Sequence, residues 1–271
     1  MIEFFKKSGA WALSIIGIAF TFVPEAFFGV YKPLPKLSNE TNILLVRIFA
    51  FLAILILTII TNLTYLLCRR KVRLKGSNYS IQIEYGDIFK KSNCKKVIPF
   101  DECFTVTVGD SPADINPGSI CGRYLTKYPI PDIKPLIASA HLDPAISKSR
   151  YQNKDRYVSG KLVPNSGYLL MAFAKLDAEG LGVLTYDEYL DCLSVLWEEI
   201  DKHYQQKDVC IPVLGSGVTR FDSDSLTQQR LLDIIIESYK LSPHKIKSPC
   251  KLHIVCKRAD GFSLNNIGKT F

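Results

Sequence analysis

The chain has 271 residues, of which 47% are apolar and 22% are charged. This apolar content excludes a disordered or collagen-like protein, because such chains cannot bury enough apolar surface to offset the entropy of ordering. The formal net charge is +8, but residues 1–71 hold 8 Lys+Arg and 3 Asp+Glu and so supply +5 of it. The rest of the chain is near charge balance and shows no basic stripe interleaved with aromatic residues, which argues against a nucleic-acid partner.

Two apolar segments near the N-terminus predict a pair of transmembrane helices. The second, residues 43–68, contains one charge, Arg47, and is long enough for a helix that crosses a hydrocarbon core of about 30 Å. The first, residues 8–30, contains Pro24 and Glu25, so its apolar part is short for a full crossing and a kink is expected there. A cleavable signal peptide and a buried globular hairpin are the competing interpretations.

Basic residues flank the two apolar segments and predict their orientation. Lys6 and Lys7 precede the first segment and a basic cluster follows the second, whereas the connecting loop YKPLPKLSNET holds two lysines. By the positive-inside rule both termini lie in the cytoplasm. We therefore expect a multi-pass protein of the cell inner membrane, with a two-helix transmembrane hairpin over residues 1–71 and a cytoplasmic domain over residues 72–271.

Eight cysteines are spread along the chain without a C-x-x-C pair or a compact disulfide spacing, as expected in a reducing compartment. Cys250, His253 and Cys256 are close in sequence, but a strand is predicted there. Positions an odd number apart on a strand face opposite sides, which argues against a zinc site. We expect no metal and no cofactor.

Apolar runs with two different periods alternate from Val72 onward. Strands are predicted over residues 79–85, 103–108, 168–174, 209–214 and 252–256. Helices are predicted over residues 133–141 and after two capping boxes, Thr185-x-x-Glu188 and Ser225-x-x-Gln228. The polar stretch 142–165 is expected to be a mobile flap or an insertion. This order predicts an α/β layer domain with parallel strands, in which ligands bind at the carboxyl ends of the strands.

The sharpest local motif is VCIPVLGSGVTRF, residues 209–221. Its glycines let the backbone turn and let amide N–H groups approach a ligand, and the helix that follows adds a partial positive charge. This layout is that of a phosphate cradle, in which Arg220 reaches a phosphate oxygen and Phe221 packs on a base or ribose. A plain glycine turn is the alternative interpretation, and the spacing matches neither a P-loop nor G-x-G-x-x-G.

A second motif, IEYGDIF over residues 83–89, places Asp87 just beyond the end of a strand. A carboxylate there can accept a hydrogen bond from an exocyclic amine such as that of adenine. The alternative is a Gly-Asp turn in which Asp87 caps the residues that follow.

Together the two motifs resemble those of the macro domain, an α/β module that binds ADP-ribose, over roughly residues 72–257. The resemblance implies a macro-domain-like three-layer α/β/α domain in which Asp87 holds the adenine amine and Ile88 supports its ring. It implies that Phe221 lies near the distal ribose. It also implies two phosphate loops, whose candidate residues are Leu214, Gly215, Ser216, Gly217 and Val218 in one and Gly118, Ser119 and Ile120 in the other.

One segment departs from the family pattern. Hydrolytic macro domains carry an N-A-A-N-like segment after the third strand, whereas residues 106–110 here read VTVGD, in which only Asp110 offers a carboxylate. The departure favours binding without turnover. The alternative is a membrane-tethered ADP-ribosyl hydrolase or ADP-ribose phosphatase that uses Asp110, with Asp114 as a poorer choice.

Two apolar spans followed by a divergent macro domain resemble the membrane-anchored macro-domain effectors of Thoeris-type antiphage defence. That resemblance implies an ADP-ribose-derived signal nucleotide as the ligand and a TIR-domain protein as its producer. It further implies homo-oligomer assembly on ligand binding and disruption of the lipid bilayer.

Overall fold

A computed structural model describes residues 2–111, 113–221 and 226–268. The chain divides into two compact units, one that ends at Arg69 and one that begins at Arg70.

The N-terminal unit is helical, with α1 over Ile2–Phe22, α2 over Glu25–Phe28 and α3 over Asn39–Cys68. Pro24 separates α1 from α2, because proline lacks the N–H that a continuing helix needs. Within the described residues, α3 is the one helix long and apolar enough to cross a membrane, and α1 holds a shorter apolar stretch, Ser8–Ala19. The second of the two predicted spans therefore has a matching helix, and the first stays a prediction.

Polar side chains fix how α3 begins and how α1 lies beside it. The Ser38 hydroxyl caps α3 by accepting the Thr41 N–H at 3.2 Å. Asn42 is buried and donates to the Leu34 carbonyl at 3.0 Å, which ties the preceding loop to the helix. Asn62 Nδ2 donates to Ser8 Oγ at 3.0 Å, so α1 and α3 are in contact within the unit. Only 6% of the most apolar stretch of α3 is buried, unlike a core helix of a globular protein.

The second unit is built on a nine-stranded mixed sheet. The spatial order is β1-β2-β9-β7-β3-β5-β6-β8, with β4 paired to β5. The five central strands β2, β9, β7, β3 and β5 are parallel, whereas β1, β4 and β6 pair antiparallel. The strands are β1 Lys71–Lys75, β2 Ser80–Tyr85, β3 Cys94–Asp101, β4 Leu162–Asn165, β5 Tyr168–Leu176, β6 Gly182–Leu184, β7 Asp208–Pro212, β8 Arg220–Phe221 and β9 Leu252–Cys256.

Helices cover both faces of the sheet. They are α4 Ile120–Lys127, α5 Lys134–Ser139, α6 Tyr186–His203 and α7 Gln228–Leu241. Strand residues alternate between two cores, since Val97 packs in the cluster that includes α6 and α7 and Ile98 packs in the cluster that includes α4 and α5. The expected three-layer α/β/α architecture is therefore present.

The strand predicted over residues 103–108 is wrong, because the strand in that region is β3, Cys94–Asp101. Two features of β3 obscured it in the sequence, the lysines at its start and Pro99 near its end. Pro99 is tolerated because β7 pairs with β3 only over Cys94–Lys96, so no ladder bond to β7 is lost. The chain leaves the sheet after Asp101, whose carboxylate accepts the Cys103 N–H at 2.8 Å.

The stretch 142–165 is more integrated than the sequence suggests. Its end forms β4, which pairs with β5. Upstream, Ser149 Oγ donates to the buried Glu102 carboxylate at 2.6 Å, and the Tyr157 N–H donates to the Glu102 carbonyl at 2.7 Å. Hydrogen bonds to a buried glutamate anchor the segment, which fits the predicted insertion better than a mobile flap.

One of the two predicted capping boxes is confirmed, and the last helix has a different cap from the predicted one. Thr185 and Glu188 form both bonds of the predicted capping box at the start of α6, and α5 occupies the helix predicted over residues 133–141. Ser225, proposed as the cap of the last helix, lies outside the described residues. The α7 helix is capped by Thr227, whose side chain accepts the Arg230 N–H at 3.3 Å.

Candidate functional site

A cleft of about 850 Å³ lies at the carboxyl ends of the central parallel strands. That edge of an open α/β sheet is where ligands bind, and the volume falls in the usual range of about 300–1,000 Å³ for small-molecule sites. The cleft brings together the predicted residues Asp87, Ile88, Gly118, Ser119, Ile120, Leu214, Gly215, Ser216, Gly217, Val218 and Arg220.

The loop after β7 forms one wall of the cleft. Gly215 has φ +79°, and a Cβ there would lie 2.8 Å from Phe221 Cζ, so only glycine fits. The buried Tyr189 hydroxyl donates to the Leu214 carbonyl at 3.0 Å and fixes the loop from behind. The side of the loop at Gly217 faces open space, since a Cβ on Gly217 would meet nothing within 4 Å. The loop therefore offers backbone to the cleft from a rigid support.

Phe221 does not line the cleft. Its ring packs edge-on against Tyr189, with centroids 5.6 Å apart, and lies behind Gly215. The Phe221 ring therefore lies between Gly215 and the buried Tyr189 and supports the loop from the protein side. The structure thus brings Arg220 to the cleft, and it does not bring Phe221 there as the resemblance implies.

The second predicted loop ends where α4 begins. Ser119 caps α4 by accepting the Gly122 N–H at 2.9 Å, and the Gly118 N–H donates to Asn116 Oδ1 at 2.8 Å. Gly122 is required for this close packing, because a Cβ there would lie 2.2 Å from the Asn116 carbonyl oxygen. The N-terminus of α4, with its partial positive charge, thus borders the cleft.

Asp87 caps the short 3₁₀ turn Ile88–Lys90, as the turn interpretation of its motif predicts, and it also lines the cleft. Its Oδ1 accepts the Phe89 N–H at 3.1 Å, and its Oδ2 lies 2.7 Å from Arg123 Nη2. Burial opposes ionisation of Asp87, but the hydrogen bonds from Arg123 and from the Phe89 N–H outweigh it and leave the pKa below its usual value. Ile88 is buried and packs against Cys210 and Val255.

Arg123 is a cleft residue that the sequence analysis missed. It lies on α4, 36 positions from Asp87, and no motif surrounds it. Its guanidinium carbon is 4.8 Å from the centroid of the Phe89 ring, a cation–π distance. The only available signal was its position one turn into a helix that follows a glycine-containing loop, and that helix had not been predicted.

Three carboxylates occupy the region where a hydrolytic site was sought. Asp110 is exposed and lines the cleft beside Asp114. Because β3 ends at Asp101 rather than at residue 108, Asp101 is the acid at the carboxyl end of that strand, and it was missed. Burial raises the pKa of Asp101, and its Oδ1 accepts the N–H groups of Cys103 and Thr105 at 2.8 and 3.2 Å. This carboxyl group therefore terminates the strand and is bonded to backbone.

Within the described ranges, no group of three His, Cys, Asp or Glu side chains is arranged to hold a metal ion. His253, which was considered as a zinc ligand, lies between two carboxylates. Its Nδ1 is 3.2 Å from Glu84 Oε1, and its Nε2 is 2.8 Å from Asp208 Oδ2.

The sequence matches one protein family and a relative of known type. The family described as Thoeris protein ThsA, Macro domain, matches residues 81–257. A Thoeris protein ThsA of Bacillus amyloliquefaciens (strain Y2) is 29% identical over an alignment of 270 positions that covers 96% of this chain and 88% of the relative.

Similar solved structures include one from Oceanobacillus iheyensis and one from Thermosipho africanus. The Oceanobacillus iheyensis macrodomain with ADP gives a TM-score of 0.41 at 10% identity, over 69% of this chain and 88% of that chain. Thermosipho africanus DarTG in complex with ADP-ribose gives a TM-score of 0.42 at 12% identity, over 74% of this chain and 47% of that chain.

Proposed function

The chain belongs to the Thoeris protein ThsA macro-domain family, and on that premise we propose that its α/β unit binds an ADP-ribose-derived signal nucleotide. The observation that carries the proposal is the convergence of three separate segments on one cleft. These are the turn at Asp87, the loop before α4 and the loop after β7. A ligand with a base, a diphosphate and a sugar needs a polar side chain near the base and backbone N–H groups near the phosphates. The turn at Asp87 supplies the first, and the two loops supply the second.

The diphosphate is proposed to lie along residues 214–218 and at the N-terminus of α4. Backbone N–H groups and the positive end of a helix are both suited to anionic oxygens. Arg220 adds a cationic side chain at the same wall. The adenine is proposed to lie at the opposite end, where Asp87 and Ile88 line the cleft.

The proposal is tested by isothermal titration calorimetry of ADP-ribose into the detergent-solubilised full chain. We expect saturable binding that Asp87→Ala weakens strongly, because the carboxylate is both a proposed acceptor and the ion-pair partner of Arg123. Asp143→Ala, a change in the stretch 142–165 away from the cleft lining, is the matched control and should bind as wild type does. Heats equal to ligand dilution for the wild-type chain would reject the proposal.

Binding without turnover is the preferred form of this function. The carboxyl group of Asp101 is bonded to two backbone N–H groups, and Asp110 is an exposed side chain without a desolvated setting. The Asp101 carboxyl group is thus engaged by the backbone and the Asp110 side chain is open to solvent, an arrangement that favours binding over turnover. The alternative, a hydrolase or phosphatase, is supported only by the presence of Asp110 in the cleft lining.

Mass spectrometry distinguishes binding without turnover from hydrolysis. The full chain is incubated with ADP-ribosylated protein or with ADP-ribose-1″-phosphate, and products are followed over time. We expect both substrates to stay intact over hours. Product that forms with the wild type and vanishes in Asp110→Ala would establish the enzyme instead.

We further propose that the helical unit anchors the protein in the cell inner membrane and that ligand binding drives assembly. A ligand that binds the assembled state more tightly than the resting state shifts the population toward assembly. A TIR-domain partner is the proposed source of the ligand, and clustered helices then disrupt the bilayer. The exposed apolar surface of α3 supports the anchoring step.

Extraction of membranes with alkaline carbonate tests the anchoring. The wild-type chain should remain in the membrane pellet, and a variant with Leu52→Arg and Ile56→Arg in α3 should be released, because two central charges are costly in lipid. Release of the wild type would contradict an integral anchor. Addition of ADP-ribose to the solubilised wild type, followed by light scattering, tests assembly.

A further inference from the structure

Arg123 lies at the Asp87 end of the cleft and separates it from a second groove. This groove has a volume of about 570 Å³ and is lined by Asp87, Phe89, Lys90, Pro117, Arg123, Thr126 and Lys127. Asp87 and Arg123 are the residues that line both the groove and the cleft. The ion pair between them therefore forms the wall at which the cleft ends.

Two contacts hold the Arg123 guanidinium in position, and a third links the two residues that make them. Its Nη2 lies 2.7 Å from Asp87 Oδ2, and its carbon lies 4.8 Å from the Phe89 ring centroid. Phe89 is itself tied to Asp87, because its N–H donates to Asp87 Oδ1 at 3.1 Å. Asp87 and Phe89 contact each other and both contact Arg123, so the guanidinium is held on the Phe89 ring without a ligand.

The Arg123 side chain stays 44% exposed although two of its neighbours hold it. Phe89 covers one side of the guanidinium, so the exposed part is directed away from that ring. A guanidinium is planar and more weakly hydrated than an ammonium, and it stacks on π-systems. The exposed part is thus a flat cationic surface at the end of a nucleotide-sized cleft.

We propose that Arg123 is the platform on which the base of the ligand stacks, in the order Phe89, guanidinium, base. The proposal rests on the proposed function, because it takes the base to lie at this end of the cleft. Both oxygens of Asp87 already accept hydrogen bonds from the protein, so a main task of Asp87 is to position Arg123. Recognition then depends on a planar base more than on its exocyclic amine, because stacking is tolerant of base identity.

The test compares two ligands, ADP-ribose and 1,N6-etheno-ADP-ribose, in which the exocyclic amine is blocked. Binding is measured by calorimetry for both and by fluorescence for the etheno compound. The wild-type chain should bind the two with affinities within about fivefold of each other, since stacking supplies about 1–3 kcal/mol per base whatever its edge. An etheno compound that does not bind, while ADP-ribose does, would overturn the stacking proposal and favour edge recognition by Asp87.

Two substitutions separate stacking from charge. Arg123→Ala should weaken ADP-ribose binding about tenfold, and Arg123→Lys should weaken it nearly as much, because lysine keeps the charge and loses the plane. Lys127→Ala is the matched control, since it removes a cation one turn further along α4 that lines the groove and not the cleft. It should change the affinity less than about twofold.

Three further results overturn the inference. Arg123→Ala with wild-type affinity would mean that the side chain does not touch the base, and Arg123→Lys with wild-type affinity would mean that only charge matters. In both cases ADP-ribose still binds and the proposed function stands. A wild-type chain that binds neither ligand would remove the proposed function and this inference together. Circular dichroism of each variant checks that the exposed substitutions leave the fold intact.

Discussion

The two ends of the cleft are built in different ways. At the end formed by residues 214–218 the chain itself is shaped, with Gly215 at φ +79° and the Leu214 carbonyl held by the buried Tyr189 hydroxyl. At the other end side chains form the site, through the ion pair of Asp87 and Arg123 on the Phe89 ring. The first end is supported by the protein core and the second lies at the surface.

This difference predicts how each end responds to substitution. A change at the loop end perturbs folding and binding together, because the supporting residues belong to the main hydrophobic core. A change at the Asp87 end perturbs binding alone, because both partners are partly exposed and surface ion pairs contribute little to stability. The comparison can therefore be tested with paired measurements of stability and affinity.

The largest expected effect is that of Gly215→Val. A β-branched residue at positive φ costs about 1–3 kcal/mol, and the clash of its Cβ with the Phe221 ring adds about 1–3 kcal/mol. We expect the free energy of unfolding, measured with urea, to fall by about 2–6 kcal/mol. ADP-ribose binding should fall by more than about a hundredfold, which is equivalent to about 2.7 kcal/mol.

Gly217→Ala is the matched control for this prediction. Its added methyl group meets nothing within 4 Å, and its backbone is not in the left-handed region. Its free energy of unfolding should match that of the wild type within about 0.5 kcal/mol. If Gly217→Ala destabilised the chain as much as Gly215→Val, the rigid support assigned to Gly215 would be the wrong explanation.

Tyr189→Phe should produce an intermediate effect at the same end. The substitution removes the hydroxyl that donates to the Leu214 carbonyl at 3.0 Å and leaves a buried acceptor without that donor. Loss of such a partner costs about 1–3 kcal/mol. We expect destabilisation in this range by urea unfolding and a several-fold loss of ADP-ribose affinity. Tyr186→Phe, at a tyrosine of the same helix that is 38% exposed, should do neither.

The smallest expected effect concerns pH at the Asp87 end. The pKa of Asp87 lies below its usual value because Arg123 and the Phe89 N–H outweigh the effect of burial. The stabilisation of the folded state by the ion pair is therefore fully present above the unfolded-state pKa of about 3.9. It is lost as the pH falls through the lower, folded-state pKa. In Arg123→Ala the folded-state pKa of Asp87 should be higher than in the wild type, because the cationic partner is gone. NMR titration of the Asp87 carboxyl measures its folded-state pKa in the wild type and in Arg123→Ala. Equal pKa values in the two proteins would contradict the ion pair.

Much of the site was predictable because its signals are local. Asp87 and the loop with Gly215 each follow a strand, and parallel strands bring their carboxyl ends to one edge of a sheet. Their meeting in one cleft thus follows from topology that the order of strands and helices had already indicated. The long apolar run over residues 43–68 gave α3 for a similar reason, since a single composition signal covers the whole element.

The parts that were missed depend on contacts that are distant in sequence. Arg123 becomes part of the site only because α4 packs beside the turn at Asp87, and nothing near residue 123 signals this. Phe221, expected near the ligand, lies behind Gly215 and packs against Tyr189, a contact 32 positions away that nothing in residues 209–221 signals. The strand β3 was predicted at the wrong residues because a proline such as Pro99 argues against a strand. The short pairing with β7, which makes Pro99 acceptable, cannot be seen in the sequence.

A structure of the full chain determined with bound ADP-ribose tests the central claim most directly. We predict density for the base against Arg123 beside Asp87, and for the diphosphate along residues 214–218 and the N-terminus of α4. A nucleotide bound in the opposite direction, or outside this cleft, would contradict the account.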